Sequence, residues 1–201
     1  VSVYYSDEFV TLHLGDCLEV IDWLNADVLV TDPPYGVRWE ASYGGKRADQ
    51  VARNGIPGRK PDAIQNDTSS DARDSALALW GPRPAIVFGS WRVARPDRLH
   101  ALLIWHKEGA YSALSTAPFF TNHEEIYALG SEWVTAGKPL RSVVTTTEHR
   151  SQAVRDGGHP TPKPVPLMET LIARCLPGVI ADPFAGSGST LIAAKQLGRR
   201  A

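Results

Sequence analysis

Val179-Ile180-Ala181-Asp182-Pro183-Phe184-Ala185-Gly186-Ser187-Gly188 decides the fold class: a short apolar strand stops at an aspartate and turns through two spaced glycines into the helical pattern of Ser189 to Leu197. Glycines at 186 and 188 let a ligand come close to the backbone and leave the first N–H groups of the helix free to face it. The turn departs from the dinucleotide fingerprint G-x-G-x-x-G, because Leu191 stands at the third glycine position. No P-loop lysine follows Gly188, so pyrophosphate and triphosphate are the weaker ligands. The turn alone is compatible with a cofactor site or with a tight structural connection.

The same logic recurs upstream, where the apolar strand Val28-Leu29-Val30 runs into Asp32-Pro33-Pro34-Tyr35. Around these two turns, strand patterns at Val10 to Leu14, Ala85 to Phe88, Leu102 to Trp105 and Glu125 to Leu129 alternate with helical patterns. The helices are predicted over Leu18 to Leu24, with Leu18 and Ile21 inward, over Asp71 to Trp80, and from Val165 to Cys175. Alternation of this kind predicts an α/β fold, a mostly parallel sheet with helices on both faces. A length of 201 residues with 43% apolar side chains suits a single domain over 1–201. Residues 135–158 are irregular and polar, and read either as a small target-recognition excursion or as a connecting segment.

Charge is nearly balanced, 21 basic against 22 acidic side chains, so any contact with a polyanion must be local. Residues 1–32 hold seven acids and no Lys or Arg. Between 38 and 60 the sign reverses: Arg38, Lys46, Arg47, Arg53, Arg59 and Lys60 face only Glu40 and Asp49. This stretch, broken by glycines and prolines, reads as a basic loop that either contacts phosphate or is simply a solvated surface. Cys17 and Cys175 are isolated, which favours a reducing cytoplasm, and the histidines form no ligand set: after His123-Glu124-Glu125 the position for a second zinc histidine is Tyr127. No metal site is expected. No apolar run approaches the roughly 20 residues that cross a bilayer, and no signal peptide is recognisable at the N-terminus, so no membrane partner is expected.

Asp32-Pro33-Pro34-Tyr35 has a narrow chemical meaning. Two prolines fix φ and remove two donors, leaving a stiff turn in which the Asp32 carboxylate and the Pro33 carbonyl are paired acceptors beside a flat ring. Such a turn suits a planar substrate bearing an NH2 group. The exocyclic amine of adenine or cytosine is a poor nucleophile because its lone pair is delocalised, and two acceptors on its hydrogens favour the pyramidal form that can attack a methyl sulfonium. A base reached in DNA must first leave the stack, and stacking on Tyr35 would return about 1 to 3 kcal/mol of that cost. A proline-stiffened turn with a packed tyrosine is the reading without chemistry.

Together these residues resemble a known family, the amino-methylating DNA methyltransferases of the permuted β class, in which the catalytic motif precedes the cofactor motif. Asp32 to Tyr35 is similar to its catalytic motif, Asp182 to Thr190 to its cofactor motif, and His159-Pro160-Thr161-Pro162-Lys163-Pro164 to the element preceding the latter. Gly15-Asp16 and Phe119 to Tyr127 are similar to further family elements. The resemblance implies a Rossmann-like S-adenosylmethionine-dependent methyltransferase fold with circularly permuted motif order. It further implies S-adenosylmethionine as cofactor, with Asp182, Phe184, Gly186 and Gly188 on its methionine and ribose side, Asp16 near its adenine, and Thr161 and Lys163 closing over it. Asp32 and the Pro33 carbonyl would hold the target amine and Tyr35 would stack on the base. Arg38 to Lys60 would approach double-stranded DNA.

Methylation of adenine N6 is the expected reaction, since the family's Asp form of the catalytic motif leans to adenine and its Ser form to cytosine N4. Cytosine N4 remains the nearest alternative, and an inactive DNA-binding relic another. Transfer to cytosine carbon 5 needs a cysteine nucleophile, conventionally after proline, whereas Asp16 and Arg174 precede the two cysteines here. A bacterial or phage-infected cell is the expected setting, a homodimer or a restriction endonuclease partner being left open. In the family a further strand follows the helix after the glycine turn and lies between the strands at 179–182 and 10–14. The sequence stops at Ala201, so the expectation is either that the natural protein continues or that binding is weakened by an unpaired sheet edge.

Overall fold

A computed structural model describes residues 2–37, 66–109, 118–119, 121–131, 133, 138–147 and 162–201. Its centre is built from strands that are apolar on both sides. β3 (Val28–Thr31) and β4 (Ala85–Gly89) are buried along their whole length, as expected of inner strands with helices on both faces. They pair in parallel, and β8 (Ile180–Ala181) pairs in parallel with β3 through Val28↔Ile180 and Leu29↔Ala181. β5 (Leu99–Lys107) and β7 (Val143–Thr146) also run parallel, and β6 (His123–Leu129) is antiparallel to both β4 and β5. The order β7-β5-β6-β4-β3-β8 therefore contains one reversed strand among the described six.

Helices cover both faces. α1 (Asp71–Trp80) buries Leu77 and Trp80 against Leu29, Val87, Tyr127 and Leu129. On the opposite face α2 (Val165–Ile172) and α3 (Ser189–Gln196) bury Leu167, Met168, Leu171, Ile172, Ala193 and Ala194 against Val28, Val30, Ile86 and Phe88. The alternation along β3 is thus the division between two cores: Val28 and Val30 serve one, Leu29 the other. None of the described helices is long and apolar enough to cross a membrane.

Two sequence expectations are corrected near the N-terminus. The segment Leu18 to Leu24 is not a helix; turns lead into a 3-10 turn at Asp22–Asn25, and Leu18 and Ile21 are exposed. The cause is local: the Asp16 carboxylate accepts from the Leu18 N–H at 2.8 Å, and the Trp23 indole donates to the Cys17 carbonyl at 2.9 Å, fastening a tighter turn. Ahead of it, β1 (Ser2–Ser6) pairs antiparallel with β2 (Thr11–Leu14) in a separate two-stranded sheet. Arg200 and Ala201 lie between β8 and the start of β2, where the Arg200 carbonyl accepts from Ile180, the Ala201 N–H donates to Phe9, and the Ala201 carbonyl accepts from Thr11.

Candidate active site

Because β3 and β8 are parallel neighbours, both deliver their following residues to the same edge, so Asp32 and Asp182 leave the sheet side by side. Ligand sites in open α/β sheets form at this carboxyl edge. The reversal of β6 brings its beginning to the edge where β4 and β5 end. Trp105 of β5 is opposite Glu124 of β6, which sets Lys107, at the end of β5, beside Glu124. Four elements thus contribute charged groups to one place.

The site opens as a cleft of about 900 Å³ lined by Asp32, Pro33, Pro34, Tyr35, Lys107, Glu124, Lys163, Asp182, Pro183, Phe184, Ala185 and Gly186, with Gly15, Cys17 and Trp23 on another wall. Its acidic side chains Asp7, Glu8, Asp22, Asp32, Asp67, Glu124 and Asp182 outnumber Lys107, Lys163 and Arg200. That balance suits a cationic ligand and opposes a polyphosphate.

Asp182 is fixed at the floor. Its Oδ1 accepts from the Thr31 hydroxyl at 2.6 Å and from the Phe184 N–H at 3.1 Å, tying the end of β3 to the glycine turn. Withdrawal from water pushes its carboxyl up to about 6, opposed by hydrogen bonds from Thr190, Thr31 and Phe184 and reinforced by the nearby negative charge of Asp32.

Asp32 is held from two sides. Its Oδ1 accepts from the Tyr35 hydroxyl at 2.9 Å, and its Oδ2 from the Lys163 ammonium at 2.5 Å. The Tyr35 hydroxyl has one proton and two carboxylates in reach, since Glu124 Oε2 is also 2.9 Å away. Burial, with Asp32 and Glu124 alongside, keeps this phenol protonated well beyond its ordinary range. Lys163 is 6% exposed and sits 3.3 Å from Glu124 Oε2, with its ammonium over the rings of Phe88 and Tyr35. Burial disfavours its charge, but Asp32 and Glu124 outweigh that and hold it protonated. Glu124 also takes the Lys107 ammonium. Burial pushes the Glu124 carboxyl up, and Lys163 and Lys107 overcompensate to leave it at about 2. Two anions and two cations therefore form one compact network.

Just beyond Tyr35, Gly36 has φ +75°, and the Asp67 carboxylate accepts from its N–H at 2.7 Å. A Cβ there would meet the Ser69 backbone carbon at 2.5 Å. Gly36→Ala is therefore expected to destabilise the fold by about 1–3 kcal/mol, read as a lower urea midpoint, and an unchanged midpoint would refute the clash.

A family model described as DNA methylase matches residues 105–201. YubD of Escherichia coli (strain K12), which carries the name of a methylase, is 52% identical over 207 residues, spanning 92% of this chain and 80% of YubD. The chain belongs to the DNA methylase family. Type II methyltransferase M2.DpnII of Streptococcus pneumoniae is 44% identical to this methylase over 66 residues, 32% of the methylase and a quarter (25%) of M2.DpnII. The crystal structure of the M1.HpyAVI–SAM complex shares the fold of the methylase at a TM-score of 0.56 and 18% identity, covering 95% of this chain and 90% of that one.

Within the methylase, the structure brings together Asp32, Pro33, Pro34, Tyr35, Lys163, Asp182, Phe184 and Gly186 around one cleft. Gly188 caps α3 with φ +77° and is not among the residues that line the cleft. The Asp16 carboxylate accepts from the Leu18 N–H within its own turn, and its neighbours Gly15 and Cys17 line the cleft. Thr161 and the basic residues Arg38, Lys46, Arg47, Arg53, Arg59 and Lys60 lie outside the described residues, as does much of 135–158, although β7 falls within that stretch. Sequence reasoning missed Glu124 and Lys107 as parts of the methylase's charged network.

Proposed function

We propose that this methylase transfers a methyl group from S-adenosylmethionine to the N6 amine of adenine in double-stranded DNA. The observation that carries the reading is the joint lining of one cleft by Asp32-Pro33-Pro34-Tyr35 and by the turn from Asp182 to Gly186. The permuted β class and the site roles of Asp16, Thr161 and Gly188 belong to this proposal too, as does the approach of Arg38 to Lys60 to DNA.

The cofactor fits what lines the cleft: an acidic wall for its positive charge, the Phe184 ring for its flat base or apolar chain, and glycines where backbone must come close. Asp182, Phe184 and Gly186 would hold it. When bound, it supplies a methyl group on a positively charged sulfur, open to attack by a nitrogen lone pair. The chain's own part is to make that lone pair available. Asp32 and the Pro33 carbonyl accept the two amine hydrogens, Tyr35 stacks on the base, and the fixed Asp32 charge faces the positive charge that the nitrogen acquires. As the bond from nitrogen to carbon forms and the carbon–sulfur bond breaks, one N–H proton must leave, and Asp32 is the carboxylate assigned to receive it.

The product decides the matter. After incubation with DNA and labelled cofactor, digestion to nucleosides should yield N6-methyl-2′-deoxyadenosine. N4-methyl-2′-deoxycytidine would move the assignment to cytosine, and absence of label would overturn the reaction.

The state of Asp182 gives a pH dependence. Its carboxyl keeps a proton below about 6, and a cation is attracted to the ionised form, so binding must expel that proton at lower pH. Cofactor affinity is therefore expected to rise about tenfold from pH 5 to pH 7, and Asp182→Asn to flatten the profile. Calorimetry showing equal affinity for the unsubstituted protein at both pH values would contradict it.

A further inference from the structure

Glu124 lies in Phe119 to Tyr127, outside the catalytic and cofactor motifs, yet it is the member of the charged network that touches most of the others. Its Oε2 is 2.9 Å from the Tyr35 hydroxyl and 3.3 Å from the Lys163 ammonium, and its Oε1 receives Lys107. Asp32 meets only two of these groups, Tyr35 and Lys163.

We infer that Glu124 is a positioning residue for methyl transfer: it takes up the charge of Lys107 and part of that of Lys163, so that the negative charge of Asp32 stays available to the target amine. The inference rests on the methyltransferase reading above and deepens it. With Glu124 ionised, the network holds two negative and two positive groups. Without that charge, two ammonium groups are balanced by Asp32 alone. Asp32 is then overcompensated at the moment the nitrogen becomes positive, which is when its charge matters most.

Geometry supports the same role. A carboxylate has about four acceptor positions, and Asp32 spends two on Tyr35 and Lys163. Acceptor capacity remains for an amine hydrogen, provided that Lys163 is not drawn further onto Asp32. Glu124, on the reversed strand β6, also meets Lys163 and shares its ammonium. The same carboxylate gives the Tyr35 hydroxyl a second acceptor, which holds the ring that is to meet the base.

The test compares Glu124→Gln, Glu124→Asp, Lys107→Gln and the double variant Lys107→Gln/Glu124→Gln. Three readings are taken: single-turnover methyl transfer to DNA with cofactor already bound, cofactor affinity by calorimetry, and the urea midpoint. Glu124→Gln is expected to slow transfer by about 10- to 100-fold with cofactor affinity within about threefold, the effect of losing a group that tunes a reacting one. Glu124→Asp keeps the charge and should remain within about threefold of the unsubstituted rate. The double variant restores one anion to one cation and should recover most of the loss. Relief of strain alone would raise the urea midpoint of the double variant without restoring the rate.

Transfer by Glu124→Gln within about twofold of the unsubstituted protein overturns the inference, and so does a double variant no faster than Glu124→Gln. If Glu124→Gln does not fold, a Glu124→Asp protein as slow as about 10-fold below the unsubstituted one overturns it equally. An unsubstituted chain that methylates no DNA refutes the proposed function itself, a result distinct from a fast Glu124→Gln.

Discussion

Asp32→Ala is expected to lower turnover by about 100- to 1000-fold while DNA affinity stays within about threefold. The asymmetry follows from where Asp32 sits. Its carboxylate is at the end of a fully buried strand, fixed by Tyr35 on one oxygen and Lys163 on the other, inside the cleft. It has no place on an outer surface that could track a phosphate backbone. On the proposed mechanism, its removal takes away the charge that faces the developing positive nitrogen, an interaction that strengthens in the transition state. A loss in kcat with little change in KM for DNA is the expected signature. Binding measured by fluorescence anisotropy and methyl transfer measured on the same preparation separate the two quantities. If both fall together, Asp32 serves to shape the protein or bind DNA and the chemical role fails. Asp32→Asn adds a second comparison: it preserves shape and one acceptor oxygen but not charge, so it should lie close to Asp32→Ala if charge dominates.

Asp32 and Asp182, both legible in the sequence, share a physical feature: each stands directly after a buried strand at a proline-marked turn. Val28-Leu29-Val30 and Val179-Ile180-Ala181 could be read as strands because inner parallel strands are apolar on both sides, and the Asp-Pro that follows each marks where the chain leaves the sheet. α1 was equally open to reading, its bounds Asp71–Trp80 coinciding with the periodic pattern. β1 was not, since Ser2–Ser6 is exposed throughout and has no inward face to impose alternation. β7 is an edge strand with Val144 as its one buried residue, in a stretch whose polarity suggested a connection. Leu18, Ile21 and Leu24 have helical spacing, yet the Asp16 and Trp23 side chains stabilise competing turns that no count of apolar positions registers.

Glu124 and Lys107 were illegible for a different reason. Nothing near either residue in the sequence points to Asp32. Their meeting depends on β6 running against β4 and β5, so that its first residues reach the edge where the parallel strands end. The available clue was the pair Glu124-Glu125 opening an apolar strand: strand alternation sends such neighbours to opposite faces, so both acids in one buried strand need partners. Glu125 finds Arg95 and Tyr127, and Glu124 finds the site. Lys163 was legible as a site residue through the resemblance, but its direct pairing with Asp32 was not.

That pairing leads to the second large effect. Lys163→Met should destabilise the protein by about 2–3 kcal/mol at neutral pH, below the upper end for buried pairs because Lys107 still faces Glu124. The penalty should shrink in acid. In the unsubstituted protein the Glu124 carboxyl, held at about 2, contributes stability that is fully present above its ordinary value near 4.5 and is lost as pH falls towards 2. Without Lys163, burial acts on Glu124 with only Lys107 and the Tyr35 hydroxyl in opposition, so its proton affinity rises. A carboxyl whose value is less depressed by folding loses less stability as pH drops. The two proteins should therefore converge as pH falls from about 4.5 towards 2, where the parent loses the stability that Glu124 contributes and the variant loses less. Urea midpoints at several pH values measure this directly. A constant gap across that range would mean that the methionine merely packs badly, and a vanishing gap at pH 7.5 would mean that Asp32 and Glu124 do not need the ammonium. Lys163→Arg separates charge from shape: a planar guanidinium should retain most of the stability at neutral pH yet sit poorly between two carboxylates arranged around a point charge, so methyl transfer should fall more than stability.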